Sequence, residues 1–176
     1  MQAMIWLGLN CGFGCTDCAY LKWTDLELEN SRVILPRRKT GIYRDLPLWP
    51  ETVTSLRKIK RKGSLVFYTL MGNPYIQTNI KIDVSGNEKY TITNSISTQF
   101  RRLILKASFD VPKGTGFYTL RRTAATIAAR SGYPFAVQRL LGHANLTMAT
   151  RYVQDVSAQT DKVIENSRNY VVCEKS

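Results

Sequence analysis

The chain has 176 residues, 44% of them hydrophobic and 22% charged, which gives room for one domain with a sizeable core and excludes a disordered tail or a fibrous repeat. Twenty-five Lys and Arg against 13 Asp and Glu give a net charge of +12, which points to a polyanionic partner, nucleic acid before an anionic membrane. No apolar run approaches the roughly 20 residues that span a bilayer, and no Lys/Arg-rich amphipathic helix stands out.

Met1 opens directly into the apolar run Ile5-Trp6-Leu7-Gly8-Leu9 without a polar lead or a helix cap, so the chain reads as a fragment of a longer one. With no signal peptide, a reducing cytoplasm is expected. Cys11, Cys15, Cys18 and Cys173 lack paired metal-ligand spacing and the chain has one histidine, so they read as small core residues and no metal or cofactor is expected. Their spacing fits one side of a helix if the chain stays helical through Gly12 and Gly14.

In chain order, residues 4–13 read as a buried helix from the helical spacing of Met4/Leu7/Cys11 and Ile5/Leu9/Phe13. Thr16 is the expected N-cap of a short helix running to Lys22. Arg32–Leu35 and Tyr43–Leu46 read as a hairpin with the basic tip Arg37-Arg38-Lys39-Thr40-Gly41. Pro50 starts a helix through Val53, Leu56 and Ile59, and a short strand is expected around Leu65-Val66-Phe67. Ile80, Ile82 and Val84 alternate with polar residues, as do Tyr90 and Ile92, around the turn Ser85-Gly86-Asn87-Glu88, predicting a second hairpin. Helices follow at 95–108, 118–131, 134–141, 146–153 and 157–169, with Gly132 and Gly142 as stops and Pro134 and Ser157 as starts. The expected fold class is mainly α with small antiparallel hairpins, in a single domain covering residues 1–176.

The chemistry concentrates near the C-terminus, in Tyr118-Thr119-Leu120-Arg121, then Leu141-Gly142-His143, then Arg151-Tyr152. Leu120, Ala124, Ile127 and Ala128 form the expected buried stripe of their helix, so Arg121 is expected to project beside it. His143 follows a helix-ending glycine, and Tyr152 is offset from the stripe Leu146/Ala149/Val153. A guanidinium, an imidazole and a phenol facing one cleft suit phosphodiester chemistry, in which the arginine binds non-bridging oxygens, the histidine hydrogen-bonds the phosphate and the tyrosine attacks.

With these boxes, residues 116–156 resemble the catalytic end of the tyrosine recombinase, or phage integrase, family, whose pattern is an HxxR box, an LGH box and a tyrosine nine residues after that histidine. Asp17 to Asp25, Asp-Cys-Ala-Tyr-Leu-Lys-Trp-Thr-Asp, resembles the family's acidic position and its "L-x-W-x-D" helix end, and Arg38-Lys39-Thr40-Gly41 with Leu46-Pro47-Leu48 resembles its lysine-bearing β-hairpin. The resemblance implies site-specific DNA recombination and integration, as carried out by phage and mobile-element enzymes. It makes Tyr152 the nucleophile of a 3′-phosphotyrosyl link, Lys39 the general acid for the leaving 5′-oxygen, and Arg121 and His143 the stabilisers of phosphate charge. Tyr118 stands at the first position of the HxxR box. It further implies double-stranded DNA as partner, assembly with other protomers on the site through the last helix, and a missing N-terminal DNA-clamping domain; free in solution, the chain is expected to be a monomer.

Gly14 stands where the family places its first catalytic arginine, so cutting requires a substitute, for which Arg37, Arg38, Arg44 and Arg122 are the candidates. The alternative is a recombinase-fold module that binds DNA and no longer cuts it.

Overall fold

The computed structural model describes residues 1–82, 86–130, 133–145, 147 and 164. The expected helices at 146–153 and 157–169, apart from residues 147 and 164, lie outside them, as do Val84, Ser85, Gly132, Tyr152 and Cys173.

Helix α1 (Gln2–Cys11) buries Ala3, Met4, Leu7, Gly8 and Cys11 along one side. It ends at Gly12, whose φ of 62° is left-handed, two residues earlier than the apolar pattern suggested. A side chain at Gly8 would come within 2.9 Å of the Leu120 Cβ, so glycine there lets α1 lie close against α5. The break at Gly12 also separates the cysteines: Cys11 closes α1, while Cys15 and Cys18 lie on α2 (Cys15–Ala19). Burial pushes the Cys11 thiol up to about 12, as expected of a core thiol. Thr16 is not the cap of α2. The cap position is Gly14, and the Asp17 carboxylate accepts the Gly14 N–H at 2.9 Å, because an acidic side chain on the first turn can reach back to a free amide.

The expected first hairpin forms as β2 (Arg32–Pro36) and β3 (Tyr43–Pro47), antiparallel with Val33 opposite Leu46 and Leu35 opposite Arg44. A two-residue strand, β1 (Leu26–Glu27), adds a third member to the sheet. Helix α3 (Pro50–Arg57) starts at its proline and buries Val53 and Leu56. The expected strand at 65–67 reduces to a single bridge between Lys22 and Leu65, although Val66 and Phe67 are core residues. The second hairpin pairs β4 (Ile76–Ile82) with β5 (Glu88–Asn94), with Ile80 opposite Tyr90 and both exposed.

Asn94 caps α4 (Ser95–Lys106), its side-chain oxygen accepting the N–H groups of Ile96 and Ser97. Ile96 and Phe100 face inward, and the Phe100 ring meets Phe117 edge-on at 5.5 Å between centroids. Helix α5 (Phe117–Ala129) packs between α1 and α6 (Pro134–Leu141). The main core gathers Met4, Leu7, Phe13, Leu21, Val33, Leu56, Ile96 and Phe117, while Ala125, Ala129, Val137 and Leu141 form a smaller one between α5 and α6. Among the described residues, no helix is long and apolar enough to cross a membrane.

Candidate active site

Arg121 corrects the expected geometry of α5. The buried residues of that helix are Phe117, Arg121, Ala124, Ala125 and Ala129, while Ile127 is exposed, so the inward stripe is turned by one position and Arg121 lies in it. Only 1% of the residue is exposed. Its Nη1 donates to the Gly12 carbonyl at 2.6 Å and its Nη2 to the Leu141 carbonyl at 2.7 Å, joining the end of α1 to the end of α6. Both carbonyls are available because they close helices, where backbone acceptors lose their intrahelical partners. Burial lowers the Arg121 pKa, and the positive charge of Arg37 adds to the effect.

His143 follows the left-handed Gly142, which ends α6 at a φ of 60°. The turn is held by the His143 N–H donating to the Gln138 carbonyl at 3.0 Å and the Gln138 side-chain amide donating to the His143 carbonyl at 3.2 Å. Arg121 Nη2 lies 3.4 Å from His143 Nε2. A guanidinium can only donate, so Nε2 accepts and the ring proton sits on Nδ1, which is buried and has no partner among the described residues. Burial, then the charges of Arg121, Arg37 and Lys39, push the imidazole down to about 4. The ring is therefore neutral at physiological pH and offers a single N–H donor.

Asp17 lies between two arginines: Arg44 Nη2 donates to one carboxylate oxygen at 2.8 Å, and Arg121 Nη1 stands 3.9 Å from the other. Arg44 is fully buried, its guanidinium 4.7 Å above the Phe13 ring, and its Nε and Nη1 have no partners among the described residues. This ion pair escaped the sequence reading; its available signal was an arginine at an inward-facing position of a strand whose outward neighbours are Tyr43 and Asp45.

Gly14 has extended backbone, and a Cβ there would make ordinary contacts, 3.7 Å to the Asp17 carboxylate and 4.0 Å to the Tyr118 ring. Position 14 thus opens towards Tyr118, which is more than half exposed at the rim.

Lys39 is exposed at the tip of the first hairpin. That tip is clamped to the histidine turn, since Arg37 Nη1 and the Thr40 hydroxyl both donate to the Gly142 carbonyl, at 3.1 and 2.8 Å. A side chain at Gly142 would meet Arg37 and Arg44 at 3.0 to 3.2 Å, a second reason besides its φ for glycine at this point. Arg121, His143 and the Lys39 hairpin therefore converge on one turn, with Tyr118 at the edge. Tyr152 lies outside the described residues.

The four candidate substitutes for the arginine absent at Gly14 separate clearly. Arg38 lies over the Tyr20 ring at 4.0 Å, and Arg122 lines a groove on the outer side of α5. Arg44 is enclosed with Asp17, and Arg37 is half-buried beside Gly142. The groove, of about 610 Å³, is lined by Lys113, Arg122 and Arg130 with the hydroxyls of Thr119, Thr123 and Thr126. Such a lining suits phosphate contact without base reading.

The helical body with its small antiparallel sheets is a fold shared with DNA recombinases of known structure. The integrase of the Tn1549 transposon, in complex with transposon right end DNA, superposes with a TM-score of 0.65 at 19% identity over 94% of this chain and 57% of that one. XerH site-specific recombinase bound to its difH substrate gives a TM-score of 0.66 at 20% identity over 92% and 45%, and the catalytic domain of bacteriophage HP1 integrase gives 0.62 at 16% over 93% and 79%. The chain thus spans little more than half the length of the Tn1549 integrase it resembles. No curated protein sequence matches it. The model of the phage integrase family matches residues 1–159, and the chain belongs to that family.

Proposed function

We propose that this chain is the catalytic domain of a site-specific DNA recombinase that cleaves and rejoins one strand at a time through a 3′-phosphotyrosyl intermediate. The observation that carries the reading is the convergence of Arg121, His143 and the Lys39 hairpin on the Gly142 turn. Tyr152, its phenolic proton released to solvent, would attack the scissile phosphorus, forming the tyrosyl P–O bond as the bond to the 5′-oxygen breaks. Lys39, exposed and close enough to depress the imidazole pKa, would protonate that leaving oxygen. His143 would donate its Nδ1 proton to a non-bridging oxygen, and Arg121 would supply positive charge behind the Gly142 turn. Tyr118 would donate a hydroxyl hydrogen bond at the rim. The phosphotyrosyl bond conserves the energy of the phosphodiester, so rejoining by a 5′-hydroxyl requires no external energy source.

The net charge of +12 and the basic groove beside α5 support double-stranded DNA as the partner. The DNA complexes of the Tn1549 and XerH enzymes support the same partner, and the structure of a lambda integrase dimer on a core site supports assembly of protomers on the target. The test is incubation with a nicked duplex that traps covalent protein. The wild-type chain is expected to form an adduct, and Tyr152→Phe to form none while retaining salt-sensitive binding. Salt-sensitive binding by the wild type with no adduct would instead establish the non-cutting module that Gly14 favours.

A further inference from the structure

We propose that Arg37 is the second guanidinium of this site and grips the phosphate beside Arg121, in place of the arginine that position 14 lacks. The inference rests on the strand-cleavage reading above and identifies which side chain completes its anion pocket.

Arg121 is already engaged by the protein itself. A guanidinium has five N–H donors, and Arg121 commits two nitrogens to the Gly12 and Leu141 carbonyls, with His143 and Asp17 next nearest. Little of its donor fork remains for a bidentate grip, so Arg121 contributes mainly charge and a fixed scaffold. Arg37 differs. It makes one hydrogen bond to the Gly142 carbonyl and no ion pair with a carboxylate among the described residues.

Its position is set by the Gly142 turn. The two arginines donate to the carbonyls of consecutive residues, Gly142 and Leu141, so both are tethered to the same turn. The Arg37 stem packs against Gly142, where an added Cβ would meet its Cβ and Cδ at 3.2 and 3.0 Å. Like charges held this close repel unless an anion sits between them, and the acid beside Arg121, Asp17, is already bonded to Arg44. The charge of Arg37 is felt at both Arg121 and His143, and that of Lys39 at His143. The unpartnered Nδ1 of His143 supplies a neutral donor to the same cluster. Two guanidiniums, one ammonium and one imidazole N–H, with Asp17 the carboxylate beside them and already bonded to Arg44, carry excess positive charge and form a receptor for a phosphodiester.

Two measurements on the full chain test the proposal, with Arg37→Met to keep the stem on Gly142 and Arg37→Ala as a second variant should methionine distort the turn. The first is the rate of covalent adduct formation on nicked duplex. Loss of one donor that stabilises transition-state charge predicts a fall of about 100-fold, with Arg37→Lys in between. Position 14 has extended backbone and room for a side chain, so Gly14→Arg in the Arg37→Met background is expected to restore about tenfold or more of that loss. The second follows the ring signals of His143, the one histidine, by NMR during titration with inorganic phosphate. Apparent phosphate affinity is expected to fall about tenfold in Arg37→Met.

An adduct rate within about threefold of wild type in both Arg37 variants, a difference below about 0.7 kcal/mol, overturns the proposal. So does a phosphate titration that the variants leave unchanged. If the wild type forms no adduct but phosphate binding still depends on Arg37, the anion site stands and the strand-cleavage reading falls.

Discussion

Arg121 is buried and serves as a strut, and replacing it tests that reading directly. Arg121→Ala removes charge-assisted hydrogen bonds to the Gly12 and Leu141 carbonyls, at 2.6 and 2.7 Å. Bonds of this type contribute about 1.5–3 kcal/mol each, which gives a loss of about 3–6 kcal/mol. Relief from holding a charge away from water offsets part of it, as the lowered Arg121 pKa indicates, and places the expected value near the lower figure. For a chain of this length each kcal/mol moves the melting temperature by roughly 2–4 °C, so a fall of about 6–12 °C is expected. Urea denaturation of wild type, Arg121→Ala and Arg121→Lys measures it, with the lysine variant losing about half as much because one ammonium replaces a two-armed fork. A loss below about 1 kcal/mol for Arg121→Ala would refute the strut, since solvated surface arginines show effects of that size.

Two further predictions concern the charges behind the site. Arg44→Met leaves Asp17 without its 2.8 Å partner and is expected to cost about 3–5 kcal/mol, of which Arg44→Met with Asp17→Asn recovers a measurable part; equal losses in the single and double variants would contradict the pair. The imidazole of His143 is held at about 4, below its unfolded value of 6.5. The unfolded chain therefore takes up this proton first, so the stability contributed by a neutral His143 is complete above about pH 6.5 and is lost as pH falls towards 4. An NMR titration of the ring gives the midpoint, and a value near 6.5 in the folded chain would contradict the buried, cation-flanked setting.

Much of this architecture is legible from local rules. The hairpin at 32–47 follows from two β-rich runs around Lys39-Thr40-Gly41, and α6 from Pro134 at its start and Gly142 at its end. The Lys39 hairpin, Arg121 and His143 are picked out by residue type and order, and the structure brings them to one turn. What the sequence hides is the inward direction of charged residues. Helical periodicity sets Arg121 beside the buried stripe and residue type makes Arg44 an unexpected core residue, yet both point inward because helix-end carbonyls and Asp17 await them. Capping misled for a similar reason: Thr16 is the better cap by type, but the backbone bends at Gly12, two residues before Gly14, and Asp17 bonds the exposed Gly14 amide instead. The single Lys22–Leu65 bridge fails as a strand because the apolar residues that follow it are buried by core packing without a partner strand.

The central claim is that a tyrosine of this chain becomes covalently joined to DNA. The most direct measurement is digestion of the trapped protein–DNA complex followed by mass spectrometry of the peptide that carries a residual nucleotide. The account predicts one modified peptide, with a 3′-nucleotide esterified to Tyr152. A modification on another residue, or binding to nicked duplex that leaves every peptide unmodified, would contradict it.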